Sequence, residues 1–401
     1  MTDKIAAFFA AGCKNTKDRK IGLELEHILV HKDTGKSVTY YEEHGQEYIL
    51  NAFNSLCLNR DKSSVMCSIT ENGRLLGLYN NEYSITLEPG GQFEISIAPF
   101  ESIQRIQMIY DDFRDKLNAV LNSIDVEALT IGYPPVTLAA DIPLIPKKRY
   151  EYMNEYFKTS GTRGINMMRG SASTQISVDY CSEDDFVRKY RCLAIISPAL
   201  KLLSANTPYF EGSRTDMFLT RTYIWRDVDN KRCSYPANLF DDDFGFKSYA
   251  RYLMDTELIF VPDSEGGHSV GKNTAREVYE TDTLSDSDIS HIISMVFPDI
   301  RLKGFIELRV ADSMPIDRAL EYAALVRAII YSNEAVDEIL TDWKASRISI
   351  ADIARAEDSL SQYGYDGYIY NVNAKEYLNR LILLANRAEP ENGFLPVMLT
   401  V

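Results

Sequence analysis

Residues 84–99 read SITLEPGGQFEISIAP, two alternating runs on either side of Pro89, Gly90 and Gly91. Within 83–98 this predicts two strand halves joined at a tight break. Side chains alternate along a strand, so Phe93, Ile95 and Ile97 take one face while Gln92, Glu94 and Ser96 take the other. Glu88 stands immediately before the break. The glycines let the backbone turn sharply or approach a ligand closely. A plain hairpin needs those glycines but has no use for the flanking carboxylates.

Two other segments repeat the pattern. Residues 21–30, IGLELEHILV, put Glu24 and Glu26 on one face and Ile21, Leu23 and Leu25 on the other. Taken alone, that is the solvated side of an antiparallel sheet. Residues 305–312, FIELRVAD, put Glu307 and Arg309 on one face, with Asp312 at the strand end. Taken alone, that is an ion pair along a strand. Together the three segments offer three carboxylate-bearing faces in a chain with only 5 histidines. Such oxygen-rich, histidine-poor sets suit a hard cation such as Mg²⁺ and not zinc. Magnesium completes its shell with phosphate oxygens, so the pattern points to ATP held through metal on a sheet face. No phosphate-cradling glycine motif occurs. Lys148, Arg149, Arg169, Arg221, Arg226 and Arg309 are the candidate partners for phosphate or a substrate carboxylate. On the strand expected at 170–180, Gln175, Ser177 and Asp179 share a face opposite Ile176 and Val178, either a substrate-reading surface or a solvated one.

The rest of the chain supplies a frame. Its 401 residues are 45% hydrophobic and 25% charged, enough for a sizeable core and against disorder. A formal net charge of −15 excludes nucleic acid and anionic lipid as general partners. No run approaches the ~20 apolar residues of a membrane span. The six cysteines form no C-x-x-C pair, which predicts reduced thiols in a cytoplasm and no zinc site. Helices are expected at 41–58, at 101–124 with Ile103, Ile106, Ile109, Phe113, Leu117 and Val120 on one stripe, and from a Ser182 cap to about Ser204. Pro198 should bend or break the last of these. A hairpin is expected within 65–80 at Glu71-Asn72-Gly73, a strand at 301–310, and further helices at 316–341, 350–362 and 372–388. Polar residues 262–288 read as a long mobile loop that closes over the site. Helices and strands do not alternate regularly, which predicts an α+β fold with a mainly antiparallel sheet.

The chain resembles the glutamate–cysteine ligases of the plant and proteobacterial type. The resemblance runs from about residue 3 to 340 in the family's order. It is carried by GCK (12–14), IGLELE (21–26), the stretch 84–99, IPKKRYEYM (145–153), MMRGSASTQISVDY (167–180), FLTRTYIWRDVD (218–229), DDDFGF (241–246) and FPDIRLKGFIELRVAD (297–312). It implies a single catalytic domain over 1–401 with a helical C-terminal part at 316–401. The implied fold is glutamine-synthetase-like, α+β, with a curled, mainly antiparallel sheet flanked by helices. The implied reaction joins the γ-carboxylate of L-glutamate to the amine of L-cysteine through a γ-glutamyl phosphate, using ATP and two or three Mg²⁺ ions. By the same resemblance Glu24, Glu26, Glu88, Glu94 and Glu307 hold metal, and Arg309 and Arg221 act on the transferred group. Lys148, Gln175, Ser177, Trp225 and Arg169 contact nucleotide or substrate. The expected partners are these small molecules alone, with the protein a monomer or homodimer. The family commonly has Asn at position 177, Gly at 310 and His at 223, where this chain has Ser177, Val310 and Tyr223. The departures at 177 and 310 motivate one alternative, a γ-glutamyl ligase for another amine. A non-catalytic glutamate- or nucleotide-binding regulator is a second, which the retention of all five glutamates and Arg309 weighs against.

Overall fold

The computed structural model of the chain describes residues 1–15, 17–60, 66–263, 266–280 and 283–390. Its strands in chain order are β1 (Ile21–His31), β2 (Cys67–Glu71), β3 (Arg74–Tyr79), β4 (Tyr83–Leu87), β5 (Phe93–Phe100), β6 (Val126–Leu129) and β7 (Ser173–Val178). The short β8 (Tyr209–Phe210) and β9 (Ser213–Arg214) follow, then β10 (Ile300–Leu302), β11 (Ile306–Asp312), β12 (Tyr368–Ile369) and β13 (Val372–Asn373). Among the described residues nine strands form one sheet, ordered β10-β11-β7-β1-β5-β4-β3-β2, with β6 paired to the far end of β1. Every pairing in it is antiparallel. The β2–β3 connection is Asn72-Gly73, both with positive φ (50° and 75°), the turn whose twist matches the flanking strands.

The sheet's two faces differ as the alternation requires. Leu23, Leu25, Ile95, Ile97 and Ile176 on the odd-numbered face of β1 and its partners are buried. Four helices pack on the sheet: α2 (Gln46–Arg60) on β3, α3 (Ile103–Asn122) on β5, α6 (Glu183–Ser204) on β11 and α12 (Ile316–Ile330) on β7. α3 starts where Ser102 Oγ accepts from Arg105 N, and its buried stripe runs Ile106, Ile109, Phe113, Leu117 and Val120. Each such side chain contributes about 1.5–3 kcal/mol when fully buried. α1 (Thr2–Ala11) packs on α9 (Phe246–Met254). The other sheet face is walled by α4 (Lys148–Phe157), α5 (Gly164–Gly170) and α7 (Thr220–Arg226). The short α8 (Asn230–Cys233) and α10 (Ala275–Val278), with α11 (Asp286–Ile293), lead back to the sheet. α13 (Asn333–Ser346), α14 (Ile350–Tyr363) and α15 (Ala374–Ala388) complete the C-terminal helical part. Among the described residues no helix is long and apolar enough to cross a membrane.

Four expectations change. α6 runs through Pro198 unbroken. The carbonyl that Pro198 cannot satisfy, Ala194 O, instead accepts the Ser197 hydroxyl at 2.9 Å. The strand expected at 301–310 is a hairpin, β10 and β11, turned at residues 303–305. The helix expected at 316–341 is two, because Ser332 caps a new one through Ala335 N. Residues 262–288 are not one featureless loop. Val261 bridges His268, Glu257 bridges Thr274, and α10 and the start of α11 lie within them. Positions 264–265 and 281–282 of that segment, position 65 and the tail 391–401 lie outside the described residues.

Candidate active site

The carboxylates meet because strand register aligns them. In one row across the sheet, Thr86 on β4 lies opposite Glu94 on β5, and Glu94 lies opposite Glu26 on β1. In the next, Glu24 lies between Ser96 and Gln175. Facing residues in such a ladder are about 5 Å apart, so four strands deliver their polar side chains to one patch. Glu88 joins them from the break after β4, where Glu88 N donates to Gln92 O at 3.0 Å. Gly91 has φ +83°, and a Cβ at Gly90 would lie 2.4 Å from Arg169 O. The glycines therefore serve a turn and its packing on α5. Gln92 fixes that packing, since Nε2 donates to Ser171 O at 2.8 Å and to Met168 O at 3.2 Å.

Glu24, Glu26, Glu88, Glu94 and Glu307 all line one cavity of about 470 Å³. Among the described residues six cationic side chains line it with them: Lys147, Arg149, Arg221, Arg301, Lys303 and Arg309. Met153, Met167, Met168, Trp225 and Phe297 supply its apolar wall. Burial, and then the Glu88 charge, push the Glu26 carboxyl up to about 7, although Ser173 N and Oγ donate to it at 2.8 and 2.7 Å. Glu94 is pushed well above its ordinary value by burial and then by Glu24, Glu88 and Glu26. Glu24 moves the same way through burial and the Glu307 charge. Close, buried carboxylates raise one another in this way.

Glu307 is different. Arg301 Nε donates to it at 2.7 Å, Lys303 Nζ at 2.5 Å and Arg309 Nη1 at 3.1 Å. Burial pushes its carboxyl up, but these three cations outweigh burial and hold it well below the usual range. Arg309 Nη1 also donates to Gln175 Oε1, and Gln175 Nε2 to Glu26 Oε1 at 3.3 Å, so a polar chain crosses from β11 to β1. Among the described residues no group of three or more His, Cys, Asp or Glu side chains is closed into a ready metal cage. Glu24, Glu26, Glu88 and Glu94 fit a hard cation by charge and chemistry, with phosphate oxygens completing its shell. Glu307 as placed here does not, because three cations already share its oxygens.

α7 brings Arg221 and Trp225 to the cavity one turn apart, the guanidinium 5.4 Å from the ring centre. Arg221 Nη1 donates to Arg309 O at 3.0 Å, while Arg221 Nε and Trp225 Nε1 are buried without a partner among the described residues.

Three expected contact residues lie elsewhere. Lys148 faces out of the cavity, with Nζ donating to Glu151 at 2.7 Å, and its neighbours Lys147 and Arg149 line the wall instead. Arg169 does not line the cavity, because its guanidinium is used by Ile142 O and Asn154 Oδ1. Ser177 shares the face of Gln175 but sits beyond the lining, opposite Gly22 and Glu307. The unforeseen members include Arg301 and Lys303, whose signal was the RLKGF turn ahead of β11, and Ser173, whose signal was its even spacing from Gln175.

Residues 20–392 match the model of glutamate-cysteine ligase family 2. The chloroplastic glutamate–cysteine ligase B of Oryza sativa subsp. japonica is 31% identical over 354 residues, covering 85% of this chain and 69% of that protein. The chloroplastic glutamate–cysteine ligase of Nicotiana tabacum is 30% identical over 409 residues, covering 98% and 75%. The crystal structure of a glutamate–cysteine ligase from Francisella tularensis in complex with AMP superposes with a TM-score of 0.55 at 13% identity, covering 95% of this chain and 80% of that one. That likeness is one of fold: an α+β, glutamine-synthetase-like arrangement of an antiparallel sheet flanked by helices.

Proposed function

The chain belongs to glutamate-cysteine ligase family 2, and from that membership we propose how its cavity works. It is an ATP-dependent ligase that joins the γ-carboxylate of L-glutamate to the amine of L-cysteine, giving γ-glutamylcysteine. One observation carries the reading of the site: five carboxylates and six cations converge on one cavity in a chain of net charge −15. A carboxylate resists an amine until one of its oxygens becomes a leaving group. The glutamate γ-carboxylate attacks the γ-phosphorus of ATP and ADP leaves. The cysteine amine then attacks the acyl carbon, phosphate leaves, and the amine gives up its proton as the amide forms.

The chain's own residues divide this work. Arg309, held by Gln175 and Glu307, meets the charge spread over the transferring phosphoryl group. Arg221 Nε and Trp225 Nε1, unpaired donors on one face of α7, read the carboxylate of the amino-acid substrate. Lys147 and Arg149 face the nucleotide phosphates from the N-terminal end of α4. Glu24, Glu26, Glu88 and Glu94 are the residues that would hold magnesium. Magnesium, when bound, neutralises charge on the β- and γ-phosphates. The methionine, Trp225 and Phe297 wall excludes water that would hydrolyse an acyl phosphate.

Ser177, Tyr223 and Val310, the departures from the family's usual residues, all lie off the cavity lining, and Val310 is buried in the core. No observation therefore favours another amine over cysteine. The test is ADP release with ATP, glutamate and a panel of amines. Cysteine should be the best common acceptor. Turnover of α-aminobutyrate but not of cysteine would overturn the acceptor, and no turnover with any amine would overturn the ligase. EDTA should abolish activity and excess Mg²⁺ restore it, whereas full activity in EDTA would remove the metal.

A further inference from the structure

The residue after Trp225 points away from the active cavity. Arg226 reaches α14, where Nη2 donates to Glu357 Oε2 at 2.5 Å and to Ala354 O at 2.9 Å, and Nη1 donates to Asp358. The other oxygen of Glu357 accepts Lys201 Nζ of α6 at 2.7 Å. Lys201 Nζ also donates to Asp299 Oδ2 at 2.7 Å. Asp299 directly precedes β10, and its carbonyl accepts Arg309 N at 2.8 Å. The Arg309 carbonyl in turn accepts Arg221 Nη1 at 3.0 Å. The contacts close a ring that leaves α7 at Arg226 and returns to it at Arg221. Arg226, Glu357, Lys201 and Asp299 of this ring line a second cavity of about 110 Å³, and Trp225 lines both cavities.

Glu357 and Lys201 have side chains only 6% exposed. Burying such charges carries a desolvation cost that their attraction often only matches, so a buried bridge is a poor source of stability. Hydrophobic groups could fill the same space. What the bridge supplies is a fixed distance between elements. Neither Glu357 nor Lys201 lines the active cavity, yet between them they tie α7 to the strand that carries Arg309.

We infer that Glu357 is a positioning residue for the ligase reaction. By clamping Arg226 and Lys201 it sets the distance of the Arg221–Trp225 corner from Arg309, and through that the binding of the amino-acid substrate. This rests on the reading of α7 as the carboxylate corner given above. The C-terminal helical part is then a working component of the site.

The test is steady-state kinetics of the full chain, with glutamate, cysteine and ATP varied separately. Glu357→Gln keeps shape and one hydrogen bond but cannot balance two cations. It should raise KM for glutamate by roughly tenfold, within what a misplacement of about an ångström costs, and leave KM for ATP within about twofold. Arg226→Met releases the same tether from a part-exposed position, with Lys201 still balancing Glu357, and should show the same split. Glu357→Asp, which keeps the charge, should recover part of the loss. An unchanged glutamate KM in both Glu357→Gln and Arg226→Met overturns the inference. So does a uniform change in every constant alongside a lower melting temperature, which is what plain structural support produces. Arg221→Lys, run alongside, separates the two readings. A raised glutamate KM there leaves the substrate corner standing whatever Glu357 does, and an unchanged one removes both.

Discussion

Glu94 and Glu307 share one cavity in opposite electrostatic situations. Among the described residues Glu94 accepts hydroxyls alone, from Thr86 and Ser96, beside other carboxylates, whereas Glu307 lies among three cations. The same substitution should therefore have opposite effects on the unliganded protein. Glu94→Gln removes a repelling charge and should raise the melting temperature. Glu307→Gln leaves Arg301, Lys303 and Arg309 uncompensated and should cost about 3–5 kcal/mol. Both should lose at least ~100-fold in turnover. Melts of both variants without ligands check the signs, and a stabilised Glu307→Gln would show that the cations do not hold it. Strand parity made the carboxylates legible, because a period of two leaves no freedom over which face a side chain takes. Lys148 shows where legibility stops: which of Lys147, Lys148 and Arg149 enters the cavity depends on how α4 is rotated against the sheet. Arg169 shows another limit, since its guanidinium is taken by Ile142 O and Asn154, groups far from it in sequence.

Among the elements, α6 shows how a helix survives a proline. Ser197 Oγ donates to Ala194 O at 2.9 Å and accepts from Tyr235 at 2.8 Å, so one hydroxyl fills the gap and fastens the helix to a neighbour. Ser197→Ala should cost about 1–3 kcal/mol in denaturant melts, because it leaves two buried polar groups unmade. A neutral result would show that water replaces the hydroxyl. Pro198 alone argues for a break, and only the structure shows that the residue before it supplies the missing bond. The hairpin of β10 and β11 was hidden for a similar reason. Its two arms read as one alternating run, and the strand pairing that brings Arg301 against Glu307 leaves no local mark. Residues 262–288 bear on the site through α4. Tyr152 OH donates to Gly267 O at 2.5 Å, and Tyr152 belongs to the helix that presents Arg149, Tyr150 and Met153. Hydrogen exchange in this segment should slow when an ATP analogue, Mg²⁺ and glutamate are added. Unchanged exchange with binding confirmed elsewhere would remove its role as a cover.

At the scale of the molecule, residues 24–94 supply four of the five carboxylates, residues 147–171 the opposite wall, and residues 221–309 most of the cations. That division explains why an antiparallel α+β fold was legible from patterning while the C-terminal helices were legible only as helices. Their tie to the site runs through Lys201 and Glu357, far apart in sequence and unremarkable singly.

The cavity's cations also bear on how fast a nucleotide arrives. A chain of net charge −15 repels an anion at long range until it is close to the cavity where Lys147, Arg149, Arg221, Arg301, Lys303 and Arg309 are gathered. Dissolved salt shortens the reach of that repulsion, from ~30 Å at 0.01 M to ~10 Å at 0.1 M, before it touches the contacts inside. Metal-free ATP should therefore associate faster as salt rises across that range, by roughly twofold or more, the reverse of ordinary electrostatic steering. Stopped-flow measurement with a fluorescent ATP analogue reads this directly. A rate that falls from the lowest salt upward would mean that the opening, and not the molecule, governs the approach.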